Sequence, residues 1–261
     1  MCGRYATTAN PATLAADLDA VDEVSDLDEA VRPAPKYNVA PTDRVCAVVD
    51  RHGSRRIRGM RWGLVPPWTK QLGKGPMLIN ARAESLAEKP AFRTSFQRKR
   101  CLVPMDGWFE WETESQMKAG SRTPKAVKIP YFMTPQDGSR LFVAGLWSVW
   151  HDPATEAAGE SSPAPLLSCS VVTVDSAAHL TEVHDRMPLV LPRDRWAAWL
   201  DPESTADPRL LEPVLDAYAD IEVRRVSTQV NSVKNDGPEL IEPLTGGQAD
   251  DDRAGEQITL L

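Results

Sequence analysis

The chain has 261 residues, 42% of them hydrophobic and 26% charged, the balance of a globular protein with a full core in one large or two small domains. No apolar run approaches the ~20 residues of a membrane span, and the N-terminus lacks a secretory apolar region, which points to a cytoplasmic protein. The four cysteines (Cys2, Cys46, Cys101, Cys169) are widely spaced with no CxxC pair, arguing against a zinc site and against a disulfide framework.

The net charge of −7 is unevenly distributed. Residues 31–104 carry sixteen basic side chains against four acidic ones, while acids gather in "DLDAVDEVSDLDEA" (17–30) and in the tail "GGQADDDRAGE". A segregated basic region suits a polyanion; a solvated basic face is the bland alternative.

In chain order, "NPATLAADL" reads as a short helix capped by Asn10 with Pro11 at its first position. The acidic stretch 17–30 is taken as a helical region, and "VCAVVDRHGSRRIRGMRWGL" as two strands around a glycine-containing turn. "NARAESLAEKPAFRTSFQRKR" has helical composition interrupted near Pro90. "RCLVPMDGWFEW", "VKIPYFMTPQDGSRLFVAGLWSVW" and "LLSCSVVTVD" read as strands, the middle one as a hairpin turning at Asp137–Gly138. "PRDRWAAWLDP" and "DPRLLEPVLDAYA" read as helices, "IEVRRVSTQVN" as a late strand, and 113–125 and 151–165 as polar loops. Strands outnumber helices without alternating with them. The expected fold is therefore α+β, built on a mostly antiparallel, barrel-like β-sheet with peripheral helices.

Several residues stand out for their chemistry. Loss of Met1 from "MCGRYAT" would leave Cys2 as an N-terminal aminothiol, with an amine titrating near ~7.7–8.0 and a thiol near ~8.5. Such a group condenses with an aldehyde to a thiazolidine, or attacks an amide carbonyl with the amine as base; the alternative is an incidental cysteine at a frayed end. Asn80, Arg82 and Glu84 alternate in "LINARAES", where Asn80 is either a side chain that orients a reactant or a helix N-cap. Glu110 lies between Phe109 and Trp111, where it is either a carboxyl with a raised pKa or an outward-facing charge. His184 precedes Asp185 and Arg186 in "VHDRMPLVL" and is a candidate proton shuttle. The tryptophans Trp62 and Trp68 in "RWGLVPPW" and Trp108 and Trp111 in "GWFEW" either stack unpaired bases, where arginines nearby hold phosphates, or fill the core.

Together, "MCGRY", "YNVAPT", "RWGLVPPW", "INARAES", "RCLVPMDGWFEW" and "VHDRMPLVL", in this order, resemble the SRAP family (SOS-response-associated peptidase). The resemblance implies one domain over residues 2–245, with 246–261 as an acidic, disordered tail. It implies a monomer that binds single-stranded DNA and reacts covalently with abasic sites, with no cofactor, no metal and no membrane partner. Cys2 would form a thiazolidine crosslink after Met1 is lost by self-removal, and the imine on the way gives lyase-type chemistry. Asn80 would position the Cys2 amine and the sugar, Glu110 would serve as acid and base, and His184 would assist ring opening. Arg4 and Arg82 would hold phosphates, and Trp68 would stack on a base. Two rival readings remain: an N-terminal-nucleophile amidohydrolase of glutaminase type, and a non-catalytic single-stranded-DNA-binding module in which Cys2 is idle.

Overall fold

The computed structural model describes residues 2–116, 125–158 and 164–244; the whole of the acidic tail expected at 246–261 and parts of the two polar loops lie outside the described residues. The strands are β1 (Arg4–Thr7), β2 (Val21–Asp22), β3 (Lys36–Val39), β4 (Arg44–Arg51), β5 (Ser54–Trp62), β6 (Asn80–Arg82), β7 (Arg100–Met105), β8 (Gly107–Gln116), β9 (Lys125–Pro135), β10 (Leu141–Trp150), β11 (Leu166–Asp175), β12 (Arg186–Pro188) and β13 (Ile221–Arg225). The α-helices are α1 (Pro11–Leu18), α2 (Pro90–Arg98), α3 (Pro153–Ala158) and α4 (Trp196–Leu200).

The strands β11–β10–β7–β4–β5 follow one another by antiparallel pairing, and β5 returns to β11 in parallel through Ser168↔Arg61 and Cys169↔Trp62. That pairing closes a five-stranded mixed barrel and removes its edges. The strands β6 and β12 extend β11, and β2 extends β5. A second sheet, antiparallel throughout in the order β13-β9-β8-β1-β3, packs beside the barrel. Tyr5 of β1 meets Trp62 of β5 edge-on at 5.0 Å between ring centroids, and both are fully buried, so one aromatic contact ties the two sheets together. Among the described residues no helix is long and apolar enough to cross a membrane.

Local chemistry explains much of this. The Asn10 side chain caps α1 by accepting from Thr13 N at 2.8 Å, with Pro11 at the first helical position as expected. The β4–β5 hairpin turns on His52 and Gly53, both at positive φ (56° and 75°), the signature of a two-residue turn whose twist matches its strands.

Six expectations are corrected, the first being that the late strand read over 221–231 ends at Arg225 and is followed by a 3₁₀ turn at Thr228–Asn231. Residues 80–89 are not helical: Asn80–Arg82 is β6, paired in parallel with Val171–Thr173, and the helix begins only at Pro90, whose fixed φ starts it. The turn at Gly138 is present, but β9 and β10 are not hairpin partners. β9 pairs with β8 and β13, β10 with β7 and β11, so the chain crosses there from one sheet to the other. The acidic stretch is helical only to Leu18, because Asp19 sits at φ 49° and ends α1. The expected helix at 207–219 is two 3₁₀ turns, Pro208–Leu211 and Leu215–Tyr218, separated at Pro213. The polar stretch 151–165 contains α3, and 113–116 continues β8.

Part of the basic region is used internally. Arg56 and Arg58 of β5 both pair with Glu23, at 2.5 and 3.0 Å, so the acidic segment docks on the basic strand. Arg100 donates to the carbonyls of Phe96, Gln97, Trp199 and Asp201 and holds α2 against α4.

Candidate active site

The register of β1 on β8 places the site. Arg4 pairs with Phe109 and Tyr5 with Trp108, which sets Gly3 and Cys2 beside Glu110 and Trp111. Cys2 is fully buried, with its Sγ 3.9 Å from Arg4 O. Burial pushes its thiol pKa well up, and the neighbouring Glu110 carboxyl pushes it further, so the thiol is protonated at neutral pH.

Asn80 opens β6, on the flank of the barrel that faces β1. Its Nδ2 donates to the Cys2 carbonyl at 2.8 Å, and its buried Oδ1 has no partner among the described residues. The helix-cap alternative is therefore excluded: Asn80 is a strand residue bonded to Cys2.

Glu110 is only 2% exposed, although its strand neighbour Phe109 is also buried. Alternation fails here because both faces of β8 are covered. Phe109 packs with Ala6, Phe132, Val226, Val230 and Leu240 on one side, while the Glu110 side chain turns toward Cys2 and His184 on the other. Burial raises its carboxyl pKa to about 7, a rise moderated by the N-terminal amine.

His184 lies two residues before β12, with Nε2 3.9 Å from Glu110 Oε2. Its Nδ1 is 2.9 Å from the Arg186 backbone N and 2.8 Å from Asp185 Oδ1. One nitrogen cannot accept from the first and donate to the second at once. Burial, then the N-terminal amine, lowers the imidazole pKa, which favours the neutral ring with Nδ1 accepting from Arg186 N–H. The Nε2–H then points at the Glu110 side of the site.

Cys2, Asn80, Glu110 and His184, far apart in sequence, thus converge at one place. The three expected DNA contacts are placed differently. Arg82 is exposed on β6 two residues beyond Asn80. Trp68 is 58% exposed on the loop between β5 and β6, whereas Trp62 and Trp108 are core residues. Arg4 is committed to the fold: it donates to Asn38 Oδ1 at 2.6 Å, to Val230 O at 3.0 Å and to Asn231 O at 3.4 Å. It nonetheless borders an open cleft of about 490 Å³, with Gly3, Trp111, Lys128 and Asn231.

Asn38 was not evident from the sequence. It is fully buried, and its Nδ2 lies within hydrogen-bonding distance of the carbonyls of Val230, Ser232 and Asn235 at 2.9–3.3 Å. The available signal was a lone carboxamide inside the apolar "YNVA" strand.

A mixed barrel joined to an antiparallel sheet, with a cysteine near the chain's N-terminus lodged among an amide, a carboxyl and an imidazole, defines an α+β protein with a cysteine-centred site. The chain belongs to the SRAP family: the family model described as SOS response associated peptidase (SRAP) matches residues 1–233. It is 35% identical over 247 residues to abasic site processing protein YoqW of Bacillus subtilis (strain 168), covering 93% of this chain and 99% of that one. It is 30% identical over 246 residues to abasic site processing protein YedK of Escherichia coli (strain K12), covering 94% and 100% of the two chains. A crystal structure of a protein from Bacteroides thetaiotaomicron shares the fold with a TM-score of 0.73 at 23% identity, covering 94% of this chain and 100% of the other.

Proposed function

We propose that this protein processes abasic sites in single-stranded DNA, and that Cys2, once Met1 is removed, captures the lesion as a thiazolidine. The observation that carries this reading is the buried carboxyl of Glu110, with a pKa of about 7, beside a cysteine whose backbone Asn80 holds at 2.8 Å. A group half-ionised at neutral pH both gives and takes protons efficiently. The names of the relatives, abasic site processing proteins, supply the electrophile: the open-chain aldehyde of an abasic deoxyribose.

One oxygen of Glu110–COOH protonates the ring oxygen while the other takes the proton of the anomeric hydroxyl, and the aldehyde opens with Glu110 still protonated. The neutral Cys2 amine adds to C1′; the carbinolamine takes a proton from Glu110–COOH and loses water, leaving an iminium and the Glu110 carboxylate. The Cys2 sulfur then adds to C1′, its proton passes to the Glu110 carboxylate, and the electron pair of the C=N bond returns to nitrogen. Aldehyde and aminothiol have become thiazolidine and water, with no net proton change. Asn80 fixes the Cys2 backbone, and the Nε2–H of His184 serves the hydroxyl that leaves. Arg82 and Arg4 contact phosphates and Trp68 stacks on a flanking base.

While residue 1 is attached, the Cys2 nitrogen is an amide and cannot add to an aldehyde. The family's description as a peptidase supports self-removal of Met1 through the same groups. Closing the thiazolidine also consumes the imine from which β-elimination would cut the strand, so the adduct shields the lesion.

The test is a denaturing gel of the protein with single-stranded DNA carrying one abasic site, with Cys2→Ala and intact-base DNA as controls. A heat-stable shifted band that needs both Cys2 and the lesion supports the reading. Salt-sensitive binding without such a band would leave a plain DNA-binding module.

A further inference from the structure

Two residues of the motifs that surround the site take no part in the chemistry above, Glu84 of "INARAES" and Arg186 of "VHDRMP". They meet, although 102 residues separate them. Arg186 Nη1 donates to Glu84 Oε1 at 2.8 Å and Nη2 to Glu84 Oε2 at 3.1 Å, a bidentate fork. The same guanidinium donates from Nη2 to Thr173 O at 2.7 Å and from Nη1 to Asp175 Oδ1.

The topology gives this contact its meaning. The strand β11 carries β6 on one flank, through Thr173↔Arg82, and β12 on the other, through Thr173↔Pro188 and Asp175↔Arg186. Arg186 therefore reaches from β12 across the end of β11 to the turn that follows β6. Asn80 stands at the head of β6, and His184 lies two residues before Arg186, its Nδ1 bonded to the Arg186 backbone N–H at 2.9 Å. A second tie, Ser176 N to Asp185 O at 2.9 Å, holds the same corner. The two sides of the site are strands of three residues each, too short to fix their own orientation by ladder bonds alone.

We propose that Arg186 and Glu84 form a positioning strut that sets the imidazole of His184 against Asn80 and Cys2. The guanidinium is nearly buried while the Glu84 side chain is half exposed, so the carboxylate is the end that can be altered without opening the core. Geometry favours a fork over a point charge: two parallel bonds fix the plane of the guanidinium, and with it the peptide that donates to His184. The carboxyl of Glu84 is held below its usual range by the hydrogen bonds from Arg186, so the fork persists through the neutral pH range in which the site works.

The inference rests on the function proposed above, and the experiment separates the two. Full-length protein and its Glu84→Gln, His184→Gln and double variants are compared in three measurements. The first is the rate of adduct formation on single-stranded DNA with one abasic site at saturating protein. The second is affinity for intact-base DNA. The third is the NMR titration of His184 in protein labelled at histidine Cε1. Among the described residues the charged groups facing that imidazole are Glu110, Asp185 and Arg186, and the charge of the N-terminal amine also acts on it; Glu84 is not among them.

A strut predicts that Glu84→Gln slows adduct formation about tenfold or more while binding of intact DNA changes less than about twofold. It also predicts that the substitution moves the His184 resonance and its titration midpoint, and that it adds little to the loss already caused by His184→Gln. Additive losses in the double variant, or a His184 titration that Glu84→Gln leaves unmoved, would overturn the strut. If the wild-type protein forms no adduct, the proposed function falls and the titration alone decides the strut.

Discussion

Glu110 and His184 face each other across the site with Oε2 and Nε2 3.9 Å apart, and burial moves their pKa values in opposite directions, the carboxyl up to about 7 and the imidazole down. Both shifts favour the neutral form, as desolvation must. For Glu110 the sign of the linkage is fixed. An unfolded chain releases the proton near 4.5, whereas the folded protein keeps it until about 7, so folding is favoured at acid pH and that advantage is lost as pH rises through this window. Glu110→Gln, which cannot ionise, should therefore gain stability relative to wild type between pH 4 and pH 8, by up to about 3 kcal/mol. Urea denaturation of both proteins at the two pH values checks this. An equal difference at both would mean that the carboxyl is not desolvated.

Asn38 joins the N-terminal strand to the segment 230–236. Its amide lies against three carbonyls, its oxygen accepts from Arg4, and Asp236 accepts from the backbone N–H groups of Tyr37 and Asn38. Replacing it with alanine strands several buried groups at once, and an unpaired buried group costs ~1–3 kcal/mol. Asn38→Ala is expected to lose about 3 kcal/mol of stability and to expose the amides of 230–236 to hydrogen exchange. A loss under about 0.5 kcal/mol, the level of an ordinary surface change, would show that water replaces these bonds without penalty.

What could be read from the sequence followed the range of the forces involved. The α1 cap and the β4–β5 turn are set within a few residues, by the Asn10 oxygen and by His52–Gly53, and both were legible. A barrel-like sheet was legible too, but the parallel seam that closes it was not, because it depends on β5 meeting β11 more than a hundred residues later. Asn80 misled for the same reason: "NARAES" has helical composition, and only the parallel edge offered by Val171–Thr173 makes its start a strand. Glu110 and His184 could be named as candidates from their neighbours. Their burial and mutual distance depend on both faces of β8 being covered, which alternation along one strand does not encode. Arg186 carried no local signal of its role and Asn38 only that of a lone carboxamide in an apolar strand, since each acts through partners in segments remote in sequence.

Among the described residues Trp68 is the one tryptophan that is largely exposed, and Lys70 and Lys74 on the same loop are exposed with it. Its loop is tethered from below by Trp150 Nε1 donating to Thr69 O at 2.7 Å, so the backbone is held while the indole is presented to solvent. Stacking one base on an aromatic side chain is worth ~1–3 kcal/mol. Trp68→Ala should weaken binding of intact single-stranded DNA about five- to a hundredfold, with thermal stability unchanged. Fluorescence anisotropy and a melting curve measure the two. Unchanged affinity would move the DNA track away from this loop.

Cys2→Ser separates the amine from the thiol. A serine at that position still yields an N-terminal amine when Met1 leaves, so the iminium with the abasic aldehyde should form. Oxygen closes the five-membered ring less favourably than sulfur, and the iminium therefore persists. Loss of a C2′ proton to a base then expels the 3′ phosphate and cuts the strand, the reaction that the thiazolidine suppresses. The expected result is a variant without the heat-stable band, with more strand cleavage than wild type and an adduct recovered only by borohydride reduction. A heat-stable adduct of wild-type yield without borohydride would show that the sulfur is not in the linkage. Loss of both adduct and cleavage, with mass spectrometry still finding Met1 in place, would show instead that the Cys2 thiol is needed to release its own amine.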